Sequence, residues 1–129
     1  MNGRYLLDTN IVIALFDNEP TVTASLRKVQ DIFVPSIVIG ELYYGAQGSG
    51  RVKQNVAHVD NFVVVNRILA CNSKTSETYG LVKSALKKKG RPIPDNDIWI
   101  AAITLQHNLT LVTRDAHFNE VDGLQIEIW

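Results

Sequence analysis

The chain has 129 residues, 46% of them hydrophobic and 20% charged, with a formal net charge of zero. That is the composition of a single globular domain long enough to bury a substantial core, and it excludes disordered and low-complexity classes. Apolar runs such as Ile98 to Ile103 are too short to cross a bilayer, no basic leader precedes the first apolar stretch, and one cysteine, Cys71, leaves no intrachain disulfide, so a cytoplasmic protein away from any membrane is expected.

Tyr5 to Leu7 reads as a first strand, and Asp8-Thr9-Asn10 as the turn into a helix over Ile11 to Phe16. Asp17 to Pro20 interrupts, and a second helix is predicted over Val22 to Gln30 with Leu26 and Val29 inward. Ile32 to Val34 reads as a strand closed by Pro35-Ser36. Ser36 is then the expected N-cap of a helix carrying Ile37 to Tyr44, with Gly45 ending it. After the Gly48-Ser49-Gly50 turn, Val52, Val56, Val59 and Val63 give Arg51 to Val64 helical spacing, which is preferred although Val63 to Val65 alone would suit a strand. Ile68 to Ala70 is a brief strand, and Ser73 to Lys89 a long helix with Tyr79, Val82 and Leu86 inward. Gly90 to Pro94 must be extended, because residues before proline avoid the helical region. Pro94 suits the first turn of a helix that carries Ile98, Ile100, Ala101 and Ile103 and ends at His107-Asn108. Leu109 to Thr113 is a strand, Arg114 to Asp122 a loop or short turn, and Gln125 to Trp129 a last strand.

Short apolar strands alternating with helices imply βαβ units, hence an α/β fold whose parallel sheet is covered on both faces. Ligands of such sheets bind beyond the carboxyl ends of the strands, where the strand order reverses. Asp8 follows the first strand and Asp115 the Leu109–Thr113 strand, while Glu41 and Asp97 sit in early turns of helices that begin at that edge. One topology therefore gathers four acids at one rim. Carboxylates crowded together resist ionisation unless positive charge holds them, and a hard divalent cation with oxygen ligands meets that need.

Each acid also has a plain structural reading. Asp8 suits an N-cap, Glu41 a charge reaching solvent from an apolar helix, and Asp115 a turn. Within PDND, Asp97 is taken as the ligand and Asp95 as a cap or supporting group, a division that spacing alone leaves open. His58 and His107 are isolated, which disfavours zinc, and His117, two residues past Asp115, is kept as a supporting group. There is no GxGxxG, GxxxxGK[ST] or GxSxG motif. Lys83, Lys87, Lys88, Lys89 and Arg91 bunch before PDND. Such a run suits a helix C-terminus as well as a grip on phosphates.

LLDTNI, SIVIGELYYGA, GRPIPDNDIWIAA, LVTRD followed by HFNEV, and GLQIEIW together resemble the PIN-domain ribonucleases, most closely the VapC toxins of type II toxin–antitoxin modules. Gln47 to Lys74 carries no such signature. The resemblance implies one PIN domain over residues 1–129, folded as a three-layer α/β/α sandwich around a short, Rossmann-like parallel sheet. It implies a Mg2+- or Mn2+-dependent endoribonuclease that forms a homodimer and is inhibited by a cognate VapB-like antitoxin. It transfers catalysis to Asp8, Glu41, Asp97 and Asp115. Asp8 and Asp97 become the principal metal ligands, and Glu41 and Asp115 bind directly or through water. Thr9, Thr113 and Asp95 become supports, and Arg51, Lys87, Lys88, Lys89 and Arg91 candidate contacts to the RNA backbone. Two rivals remain at this stage: a catalytically silent PIN-like RNA-binding module, and a receiver-like phosphoacceptor domain, which wants paired acids after the first strand where this chain has only Asp8.

Overall fold

Tyr5, Leu6 and Leu7 are all buried in the first strand, β1 (Arg4–Leu7), as expected of a central strand covered on both faces. In the computed structural model, which describes residues 3–129, β1 pairs in parallel with β2 (Asp31–Pro35) on one side and β4 (Thr110–Val112) on the other. Leu6 lies opposite Phe33 and Leu111. With β3 (Arg67–Leu69) beyond β2 and β5 (Ile126–Glu127) beyond β4, the order is β3-β2-β1-β4-β5, every pair parallel.

Helices α1 (Thr9–Phe16) and α2 (Pro20–Arg27) connect β1 to β2, α3 (Ser36–Gln47) and α4 (Val52–Val65) connect β2 to β3, and α5 (Ser73–Lys89) and α6 (Asp95–Gln106) return the chain to β4. A short 3-10 turn, Ala116–Glu120, leads on to β5. The predicted α/β sandwich is therefore observed. The chain builds away from β1 in one direction, then crosses back and builds in the other. Right-handed crossovers put the two sets of connecting helices on opposite faces, and the reversal falls between β1 and β4. A receiver-like domain orders its strands 2-1-3-4-5 instead, so the topology removes that rival.

Leu6, Leu7, Ile11, Val34, Ile100 and Leu111 are fully enclosed at the centre of the core. Ile98, Ile100, Ala101 and Ile103 are buried as predicted, and so are Ala102 and Thr104, which makes α6 apolar nearly all round. The Thr104 hydroxyl is satisfied within the helix by the Ile100 carbonyl at 2.7 Å.

Several boundaries differ from expectation. Helix α2 starts at Pro20, whose ring is preorganised for a first turn, and stops at Arg27. Pro35 belongs to β2 and is itself the N-cap of α3, so Ser36 makes no capping hydrogen bond. Gly45 does not end α3. Buried Ala46 holds another turn against the core, and Gly48 closes the helix. Pro94 precedes α6 as its N-cap, and neither Asp95 nor Asp97 caps it through a side chain. The last two strands, Thr110–Val112 and Ile126–Glu127, are shorter than predicted.

Candidate active site

The reversal point between β1 and β4 is where the acidic side chains meet. The Asp8 amide continues the ladder by donating to the Val112 carbonyl at 3.0 Å, which fixes the residue at the end of β1. Its side chain then caps α1, with Oδ1 accepting from the Thr9 amide at 2.8 Å. The structural reading of Asp8 as a cap is thus correct, but it uses one oxygen only. Oδ2 accepts from the Thr113 hydroxyl at 2.7 Å and from the Asn10 amide at 3.2 Å.

Asp8 is only 5% exposed. Burial pushes its carboxyl from 3.8 up to about 6; the charges of Asp97 and Glu41 push the same way, and the Thr113 and Thr9 hydrogen bonds pull against them. Asp97, half-buried in the first turn of α6, is also raised, again mainly by burial, with Asp115 and Glu41 adding to it and His117 opposing. Asp8 thus feels Glu41 and Asp97, and Asp97 feels Glu41 and Asp115. These couplings join the four acids in one series, with Asp97 linked to each of the other three.

Hydroxyls and an imidazole set the remaining geometry. The Thr9 hydroxyl donates to Glu41 Oε1 at 2.6 Å, tying α1 to α3. The Thr113 hydroxyl also accepts from the Asp115 amide at 3.0 Å, so one side chain holds Asp8 and shapes the loop carrying Asp115. His117 Nδ1 stands 3.2 Å from an oxygen of Asp97 and 3.2 Å from one of Asp115. Ligand atoms of Asp97, Asp115 and His117 all fall within 4.8 Å of one another. Crowded carboxylate oxygens of this kind are the donor set of a hard divalent cation.

Asp95 faces elsewhere. Its Oδ1 is 3.0 Å from Lys83 Nζ and 3.0 Å from the Tyr79 hydroxyl, and the Lys83 hydrogen bond holds its carboxyl below the usual range. The predicted supporting role at the rim is therefore corrected to an α5–α6 tie. Among the basic candidates, Lys89 is engaged by the Glu120 carbonyl and by Asp122 at 3.1 Å, Arg91 lies 4.0 Å from Glu120, and Arg51 reaches Gln54 at 3.4 Å. Lys87 and Lys88 stay exposed at the end of α5.

Two residues at the rim were not singled out from the sequence. Asn10, read only as part of the turn after the first strand, also receives the Arg114 amide at 3.2 Å on Oδ1. Arg114 in turn clamps the loop through Glu19 at 2.9 Å and the Trp129 carbonyl at 3.0 Å. Asn10 and Arg114 are 104 residues apart and Arg114 and Glu19 are 95 apart, so no local spacing announces these two bonds.

A family model described as "PIN domain" matches residues 5–124. "Ribonuclease VapC2" of Haemophilus influenzae is 36% identical over 129 residues, covering 98% of each chain. "tRNA(fMet)-specific endonuclease VapC" of Shigella flexneri is 30% identical over 132 residues, again covering 98% of each. The structure of VapBC2 from Rickettsia felis bound to a DNA fragment from its promoter gives a TM-score of 0.89 at 32% identity, over 97% of this chain and 98% of that one.

Proposed function

This chain belongs to the PIN-domain family, and on that premise we propose that it is a metal-dependent endoribonuclease, the toxin of a VapBC-type toxin–antitoxin pair. The observation that carries the reading is the convergence of Asp8, Glu41, Asp97 and Asp115 at one sheet edge, on side chains supplied by four different elements. A silent binding module has no use for such a cluster, which repels the phosphates of RNA.

Asp8 and Asp97 are the proposed principal ligands, and Mg2+ or Mn2+ the proposed cation. Their raised carboxyls mark a place where positive charge is stabilised. When bound there, such an ion lowers the pKa of water and offsets charge growing on the scissile phosphate. Thr113 and Asn10 hold Asp8 in one rotamer, Thr9 holds Glu41, and His117 spans Asp97 and Asp115. Asp115 is more accessible than Asp97, and it and Glu41 are the acids proposed to orient the attacking water on the substrate side.

The proposed substrate is a single-stranded or looped RNA, read through its unpaired bases, with Lys87 and Lys88 following the backbone. The relative named for tRNA(fMet) supports a looped target. The proposed assembly is a homodimer of single-domain chains in the cytoplasm, held in check by a VapB-like antitoxin.

Asp8→Asn and Asp97→Asn should each abolish RNA cleavage without unfolding the protein, and a chelator should silence the wild type. Cleavage at the wild-type rate by either variant in added Mg2+ would overturn the assignment.

A further inference from the structure

Between the last turns of α5 and the start of α6 lies a cavity of about 280 Å3 that the residues of the rim do not use. Leu86, Pro92, Ile93 and Ile98 give it apolar walls, and Lys83 and Lys87, one helical turn apart, flank it. Ile98 directly follows Asp97 in α6, so the slot and that acid of the rim are carried by the first turn of the same helix. Gly90, at a φ of 72°, ends α5, and the chain then passes through the stiff Pro92-Ile93-Pro94 segment. The slot is therefore preformed.

Its two lysines are not equivalent. Lys83 Nζ is held at 3.0 Å by both the Tyr79 hydroxyl and Asp95, and Tyr79 is itself stacked on Trp99 with ring centroids 4.0 Å apart. Lys83 is thus part of the wall. Lys87 is exposed, and among the described residues it has no ion pair or hydrogen bond through its ammonium. It is the cation this slot offers to a ligand.

We propose that the slot is a nucleobase subsite. One unpaired base of the RNA rests against Pro92, Ile93 and Ile98, Lys87 pairs with its phosphate, and the nucleotide beside the scissile bond is thereby selected. The inference rests on the ribonuclease reading of the rim. It follows from chemistry: a flat, weakly polar ring joined to a phosphate uses both the apolar walls and the free ammonium. The volume is also smaller than the roughly 300–1,000 Å3 of pockets that take larger ligands.

The test uses the full-length protein and two readouts. The first is anisotropy with the octamers rA8, rC8, rG8 and rU8 and an abasic octamer, in EDTA to block hydrolysis. The second is end-sequencing of a randomised RNA pool cleaved in Mg2+. The wild type should favour one base in binding and at one position flanking the cut. Ile93→Ala and Pro92→Ala should each weaken the favoured octamer about tenfold and flatten the preference at that position, with abasic binding little changed. Lys87→Ala, which removes a phosphate contact, should instead weaken every octamer, the abasic one included, by a similar factor. Ile93 also packs on the core, so the variant at Pro92, an exposed residue of the same wall, keeps the result readable if Ile93→Ala unfolds. Equal binding of all octamers, base preference intact in both Ile93→Ala and Pro92→Ala, wild-type binding by Lys87→Ala, or a changed sedimentation mass for Lys87→Ala would each overturn the subsite. The last result would assign the slot to contact between copies. A wild type that binds with base preference but cuts nothing would instead refute the ribonuclease reading.

Discussion

Asp8 has one carboxylate serving two ends. Oδ1 caps α1 through Thr9, and Oδ2 faces Thr113 and Asn10 in a site where burial raises its carboxyl to about 6. The consequence for stability has a definite sign. Between pH 4 and 6 the folded protein holds a proton on Asp8 that the unfolded chain, near 3.8, has released. Folding is therefore favoured at the acid end of that window and loses stability as pH rises through about 6. A rise from 3.8 to about 6 corresponds to roughly 3 kcal/mol at neutral pH. Asp8→Asn keeps a capping side chain and removes the charge. In EDTA it should be more stable than the wild type at pH 7.5 by up to about 3 kcal/mol, with the gap closing near pH 4. Urea unfolding at the two pH values measures this, and an equal gap at both would show that Asp8 carries no such penalty.

Helices show which boundaries a sequence can announce. Those of α5 were legible because both of its ends are written locally. Asn72 and Thr75 form a reciprocal capping box, and Gly90 turns left-handed while its amide and that of Arg91 return to the Lys87 and Leu86 carbonyls. The ends of α3 were misread because Ser36 and Gly45 look like punctuation, whereas burial of Pro35 and Ala46 decides the matter. These two glycines make opposite predictions. Gly90→Ala meets no neighbouring atom within 4 Å, so its cost is backbone strain at a φ of 72°, about 1 kcal/mol, or about 3 °C of Tm. Gly45→Ala, also in open space but inside a helix, should stabilise by about 0.5–1 kcal/mol. Calorimetry that gave both changes the same sign would contradict this account of the two helix ends.

At the scale of the molecule, the nearness of Asp8 and Asp115, both held by the Thr113 hydroxyl, was readable because parallel topology forces the ends of β1 and β4 together at the reversal of strand order. What could not be read was which supports each acid finds, since Thr9 to Glu41, Asn10 to Arg114 and His117 to Asp97 all join residues distant in sequence. Asp95 was misjudged for the same reason, its partner Lys83 being on another helix. The gathering of acids from four elements means that a cation held there ties those elements together, and binding to the folded state alone stabilises the whole protein. At a hundredfold excess over Kd that amounts to about 2.7 kcal/mol. Mg2+ or Mn2+ should therefore raise Tm at pH 7.5. The rise should shrink at pH 5, where a proton competes for Asp8 with its carboxyl near 6, and it should vanish in Asp8→Asn. A thermal shift that is unchanged at pH 5, or that persists in Asp8→Asn, would mean that the ion binds at other groups on the protein.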